Sequence, residues 1–183
     1  MLQVEMAAAV RTVTGKGAMR RLRSQGLTPA VVYGAGSDAL ALEMDTKTVT
    51  TTLLEIYRRN AVITLNIAEG GAKNVVVKEV QTDPVEDTLI HADFCEIDLE
   101  KTAVFSVPLK FKGTAKGVDL GGRFEIYATA LLLEGKPLDI PNEVTLDVSG
   151  VNIGEYLTFS AVTTPQNVKM VSKADDFCVG VVK

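Results

Sequence analysis

Val62-Ile63-Thr64-Leu65-Asn66-Ile67, then Glu69-Gly70-Gly71, then Asn74-Val75-Val76-Val77-Lys78-Glu79-Val80-Gln81-Thr82 is the stretch that decides the fold class of this chain. Two runs rich in β-branched residues flank a glycine turn, which is the pattern of a β-hairpin. Pro84 interrupts the chain, and Thr88 to Glu96 offers a further strand. Within it Ile90, Ala92 and Phe94 alternate with His91, Asp93 and Cys95. A strand turns alternate side chains to opposite faces, so His91 and Asp93 point away from the core. That polar face suits a polar ligand, or it is simply a solvent face.

Toward the N-terminus, Val4 to Val13 and Leu27 to Tyr33 are short apolar stretches, and residues 17 to 25 between them have room for one or two helical turns. Ala39 to Met44 gives another strand, and Asp45 or Thr46 is placed to cap a helix running to about Arg59. Val49, Leu53, Ile56 and Tyr57 recur on one face of that helix, although the threonines at 50 to 52 weaken it. Residues 1 to about 95 thus read as an antiparallel β unit with one main helix.

The acidic stretch Glu96 to Lys101 separates this unit from a second half of different composition, which places the domain boundary there, with domains at 1–96 and 97–183. Strands are expected at Val104 to Phe111, Phe124 to Leu133, Val144 to Val148, Leu157 to Ala161 and Phe177 to Val182. Residues 112 to 122, with four glycines, read as a mobile loop or wide hairpin. The second half is expected to be all-β.

With 183 residues, 46% of them hydrophobic, the chain can bury one good core or two modest ones. The first fifteen residues lack the basic start and apolar run of an export signal, so no secretion is implied. No apolar run approaches the roughly 20 residues of a membrane span. Cys95 and Cys178 are too far apart in sequence for the usual zinc-ligand spacing and read as buried free thiols in a reducing cytoplasm. No metal and no cofactor are expected.

The formal net charge is −4, which argues against a polyanionic partner until its distribution is considered. Arg11, Lys16, Arg20, Arg21 and Arg23 are opposed only by Glu5 over residues 1 to 37, a net +4, which leaves −8 for the remaining 146. Docking on an anion is therefore local. A lysine between glycines followed by three arginines lets the backbone come close while long side chains reach out, and an arginine fork can grip phosphate in two places. A solvated basic turn is the plainer alternative.

The run Val10-Arg11-Thr12-Val13-Thr14-Gly15-Lys16-Gly17-Ala18-Met19-Arg20-Arg21-Leu22-Arg23, with Thr28-Pro29-Ala30-Val31-Val32-Tyr33-Gly34 after it, resembles the family of the bacterial large-subunit ribosomal protein twenty-five. The likeness is to its long two-domain form, also called general stress protein Ctc. A second block, Lys78 to Pro84 leading into Leu89-Ile90-His91-Ala92-Asp93-Phe94, matches the same family in the same order. The resemblance covers roughly residues 3 to 100. It implies a first domain folded as a six-stranded antiparallel β-barrel with helices that docks on 5S rRNA, and a β domain elsewhere on the central protuberance. The second domain would meet 23S rRNA or neighbouring ribosomal proteins. The implied protein is cytoplasmic, and a monomer off the ribosome. Carried over residue by residue, the RNA contacts involve Arg11, Lys16, Arg20, Arg21, Arg23, Tyr33, Lys78, His91 and Asp93. Met19 departs from the small hydroxyl residue of many relatives, and Lys78 from the amide of the short form. Tyr33 either stacks on a base or packs half-buried at a strand end.

Catalysis finds little support. His91, Asp93 and Cys95 share a face, but alternate strand residues stand nearly 7 Å apart, so no hydrogen-bonded triad is expected. Gly15-Lys16-Gly17 lacks the remaining residues of a P-loop, and Gly34-Ala35-Gly36 those of a dinucleotide fingerprint. A second function class remains open: a free, stress-induced regulator or chaperone, separated from a ribosomal component by sedimentation. An RNA-processing enzyme with a similar anticodon-recognising barrel lacks any visible catalytic constellation.

Overall fold

The computed structural model describes all residues except Arg58, Glu69 and Gln166. The chain forms two compact units, one spanning Leu2–Tyr57 and Ala61–Leu99, the other made chiefly of Glu100–Lys183.

In the first unit the order is β1 (Leu2–Val10), α1 (Lys16–Ser24), β2 (Leu27–Gly34), β3 (Ser37–Asp45), α2 (Thr46–Glu55), β4 (Ala61–Ile67), β5 (Gly71–Thr82) and β6 (Leu89–Glu96). The six strands close into a barrel in the order β1-β3-β2-β6-β5-β4. Six strands and closure agree with expectation, but the barrel is not wholly antiparallel. Strand β1 runs parallel to β4, and β2 parallel to β6. Parallel neighbours need a crossover, and the segments carrying α1 and α2 fall within these connections. The hairpin turn at Glu69 lies outside the described residues.

Alternation fills the barrel. Ala30, Val32, Leu42, Ile63, Leu65, Val75, Ala92 and Phe94 are completely buried. Each large side chain so buried contributes about 1.5–3 kcal/mol, and truncating Phe94 to alanine should cost about 3–5 kcal/mol. Gly34 has φ of +116°, and a Cβ there would lie 2.9 Å from the Glu96 carbonyl oxygen. Only glycine lets β2 approach the end of β6 so closely. Next to it, Glu96 accepts hydrogen bonds from Lys73 Nζ at 2.6 Å and Ser37 Oγ at 2.7 Å.

Helix α2 starts as expected, with Asp45 accepting from the Thr48 amide at 2.8 Å. It stops at Glu55 rather than near Arg59. Thr51 and Thr52 turn their hydroxyls back to the carbonyls of Lys47 and Thr48, and the run of β-branched residues supports little further helix. Val49 and Ile56 are buried, but Tyr57, expected on the same apolar face, is 64% exposed because it lies past the helix end.

The second unit contains β7 (Ala103–Lys112), α3 (Lys116–Asp119), β8 (Arg123–Ile126), β9 (Ala130–Gly135), β10 (Val144–Asp147), β11 (Tyr156–Thr158), β12 (Lys169–Met170) and β13 (Phe177–Val182). They form two sheets, β10-β7-β9-β12 and β11-β13-β8. Its core includes Val107, Leu131, Leu133, Ile140, Val148, Cys178 and Val179. Three expectations change. The run Phe124 to Leu133 is two strands in different sheets, because Tyr127 and Ala128 both donate to the Cys178 carbonyl and break the ladder. The stretch Leu157 to Ala161 is a strand only to Thr158 and then a 3-10 turn. Residues 112 to 122 hold a helical turn where a loop or hairpin was expected, within a half that is otherwise built of strands and that 3-10 turn. Gly117 packs so closely that a Cβ would meet the Ile153 amide at 2.7 Å. Among the described residues no helix is long and apolar enough to cross a membrane.

Candidate nucleic-acid interface

Helix α1 begins after Gly15, whose φ of +94° suits glycine, with no side chain capping its first turn. A Cβ at Gly15 or Gly17 would meet nothing within 4 Å, so the backbone here is open to a ligand. Leu22 is buried against the barrel and Met19 half-buried, which leaves Lys16, Arg20 and Arg21 exposed. Arg21 and Arg23 fall in the last turn, where cations complement the helix dipole. Among the described residues, Lys16, Arg20, Arg21 and Lys78 enter no ion pair. Their positive charge is therefore uncompensated.

Two other arginines are tied to backbone. Arg23 donates through Nε to the Ile90 carbonyl at 3.1 Å, which fixes the end of α1 against the start of β6. Arg11 donates through Nε to the Leu42 carbonyl and through Nη1 to that of Val13, both at 3.1 Å. All three acceptors are neutral carbonyls, so neither guanidinium meets a counter-charge and each keeps its remaining donors.

Strand pairing then assembles a polar outer face beside α1. Asp93 stands opposite Val31 of β2 and Glu79 of β5, Cys95 opposite Tyr33, and His91 opposite Gln81. Paired residues share a side of the sheet, so these side chains lie opposite the buried Ala92 and Phe94. His91 Nδ1 and Asp93 Oδ1 are 2.7 Å apart. Two side chains leaning together thus bridge the gap of nearly 7 Å between alternate residues of the strand. Cys95 does not join them as a triad, because its thiol points to the Glu96 carbonyl at 3.8 Å. Partial burial, then the negative charge of Asp93, raise the Tyr33 phenol above its ordinary value. It remains a neutral donor at physiological pH.

Lys78 is exposed at a register shift between Val77 and Glu79, a bulge that removes it from the ladder. The structure thus gathers Arg23, Tyr33, His91 and Asp93, with Lys78 on the adjoining strand and Lys16, Arg20 and Arg21 on α1. Arg11 is anchored on β3, which β2 separates from β6. Glu79 and Gln81 were missed by the sequence reading. They join the face through the β5–β6 register, and the bulge at Lys78 hides their alternation. Among the described residues no group of three His, Cys, Asp or Glu side chains is placed to hold a metal ion.

A closed barrel bearing an uncompensated cationic helix beside a polar sheet face defines a β-barrel protein of the kind that offers positive potential to a polyanion. Residues 6–94 match the Ribosomal L25p family, and residues 102–183 match the C-terminal domain of ribosomal protein TL5. The chain is 54% identical to the large ribosomal subunit protein bL25 of Desulfotalea psychrophila, over 100% of both chains. It is 36% identical to the protein of that name from Nitratidesulfovibrio vulgaris, over 92% of this chain and 89% of the other. For Halothermothrix orenii the identity is 32%, covering 100% of this chain and 83% of the relative. The chain belongs to the Ribosomal L25p family, in a form that carries the TL5 C-terminal domain.

Proposed function

We propose that this chain is a structural constituent of the large ribosomal subunit, binding 5S rRNA through a barrel domain at residues 1–96 and supporting translation without catalysing a reaction. The observation that carries the reading is the uncompensated cationic cluster of α1, pinned by the Arg23–Ile90 hydrogen bond beside the polar face of β6. Its relatives are named as large-subunit ribosomal proteins, which supports the ribosomal half of the reading.

The chemistry divides in two. Lys16, Arg20, Arg21 and Arg23 hold phosphates, with Arg11 and Lys78 extending the positive field, and these cations supply most of the affinity. Tyr33, His91 and Asp93 read ribose hydroxyls and base edges. His91 engages Asp93 through Nδ1, which leaves Nε2 free to meet a ligand, and the second oxygen of Asp93 is an acceptor. Residues 97–183 form a second domain that contacts 23S rRNA or neighbouring ribosomal proteins. Off the ribosome the protein is a cytoplasmic monomer.

Titrating the chain with 5S rRNA and with an unrelated folded RNA of equal length tests the reading. A one-to-one complex with 5S rRNA at least about ten-fold tighter than the control is expected, given that specific sites usually exceed non-specific ones by far more. Equal affinity for both RNAs would refute it, as would absence of the protein from sedimented large subunits.

A further inference from the structure

The sheet of β11, β13 and β8 presents three aromatic rings on its outer side. Tyr127, Tyr156 and Phe177 are 50%, 44% and 53% exposed. Their centroids lie 5.0 Å apart for Tyr156–Phe177, 6.0 Å for Tyr127–Tyr156 and 6.4 Å for Tyr127–Phe177. Single exposed apolar residues are ordinary, but a contiguous aromatic cluster on a sheet marks a contact surface. The rings are also fixed in place. Tyr156 lies over Gly180, where there is no room for a Cβ, and the Tyr127 hydroxyl donates to Glu125 Oε2 at 3.0 Å.

Beside this platform an open cleft of about 500 Å³ is lined by Asp147, Gly150, Val151, Glu155, Tyr156 and Leu157. Glu155 Oε2 accepts from the amide and side chain of Asn152, and Asp147 accepts from the Ser149 amide. Among the described residues neither carboxylate enters an ion pair. Asp175 and Asp176 precede Phe177, and Arg123 is already bonded to Glu125 at 3.0 Å. Lys112 stands opposite Asp147 in the β7–β10 register and offsets part of its charge, so the net negative charge beside the exposed rings rests chiefly on Glu155, Asp175 and Asp176, the opposite sign to α1.

We propose that this face docks an extended basic segment of a partner polypeptide. An arginine stacks on the Tyr156–Phe177 pair, and a second cationic head enters the cleft between Asp147 and Glu155. Guanidinium groups favour aromatic faces and carboxylate forks together, which is the pair of features present. A nucleic-acid base also stacks on such rings, but its phosphates would have to approach the carboxylates of Asp147, Glu155 and Asp176. The proposal rests on the reading of residues 97–183 as a contact domain and is independent of RNA binding by the barrel.

The test uses the intact chain labelled for NMR and two probes, a short peptide of alternating arginine and glycine, and oligouridylate. The peptide should shift the amide signals of Tyr127, Tyr156 and Phe177. Glu155→Gln, which keeps the size of the side chain, should weaken it several-fold, and Tyr156→Ser with Phe177→Ser by about ten-fold or more. Oligouridylate should move barrel signals alone. Absence of barrel shifts with oligouridylate bears on the RNA reading and leaves this proposal intact. Peptide that leaves the three ring residues unmoved, peptide binding indifferent to Glu155→Gln in a folded protein, or oligouridylate shifting the aromatic face would each overturn it.

Discussion

His91 Nδ1 and Asp93 Oδ1 meet at 2.7 Å on the outer face of β6, half-shielded from solvent. The carboxylate engages one ring nitrogen of His91 and so fixes which one faces a ligand. If simple charge governed binding, removing the Asp93 anion would tighten the hold on RNA. We expect the reverse. Asp93→Ala should weaken 5S rRNA binding by about ten-fold, the scale of one charge-assisted hydrogen bond. The dependence of affinity on salt should stay nearly unchanged, because every cation that neutralises a phosphate is still in place. Titrations at several salt concentrations check both parts, and a tighter variant would sink the assignment.

Tyr33 offers a ring and a hydroxyl, and two variants separate their uses. Its phenol is raised above the ordinary value, so ionisation plays no part at neutral pH. If the ring stacks on a base, Tyr33→Phe should bind within about three-fold of wild type, and Tyr33→Leu should lose about 1–3 kcal/mol. Equal, small effects from both would identify Tyr33 as packing at a strand end. Calorimetry with 5S rRNA distinguishes the cases.

Gly34→Ala should destabilise the barrel by about 1–3 kcal/mol, since φ is +116° and a Cβ would press on the Glu96 carbonyl. Urea unfolding should show an earlier midpoint for the first unit. An unchanged midpoint would mean that the β2–β6 approach is loose.

The Lys73–Glu96 ion pair predicts an acid-sensitive term. Hydrogen bonds from Lys73, then Ser37, hold the Glu96 carboxyl below its ordinary value of 4.5. A depressed carboxylate stabilises the fold above its unfolded value, and that stability is lost as pH falls through the folded one. Lys73→Met should therefore cost about 1 kcal/mol at pH 7, a figure discounted for partial exposure. The difference from wild type should shrink below about pH 4. Denaturant melts at both pH values test the sign.

Much of the barrel is legible in residue alternation. Ala92 and Phe94 against His91 and Asp93 assign inner and outer faces of β6 without any tertiary knowledge, and Asp45 announces the start of α2. The parallel seams β1–β4 and β2–β6 are not legible, because pairing between distant strands is set by closure of the whole sheet. The division of the run Phe124 to Leu133 is hidden for a like reason, since the break depends on the Cys178 carbonyl, far along the chain. At the candidate site, residue type and charge run single out the arginines. Sequence could not reveal that Arg11 and Arg23 spend donors on the Leu42 and Ile90 carbonyls. Nor could it place Glu79 and Gln81, whose face is set by a bulge.

The central claim is that α1 anchors phosphate, and counterion release measures it directly. Lys16, Arg20 and Arg21 are the residues to remove, because Arg23 also ties the helix to β6 and its removal would confuse anchoring with position. Affinity for 5S rRNA should be plotted against salt, both on logarithmic axes, for wild type and for the variant carrying Lys16→Ala, Arg20→Ala and Arg21→Ala. The account predicts weaker binding at low salt and a slope flatter by roughly two units, somewhat under one for each phosphate no longer neutralised. A variant that stays folded by circular dichroism and keeps the wild-type slope would contradict it.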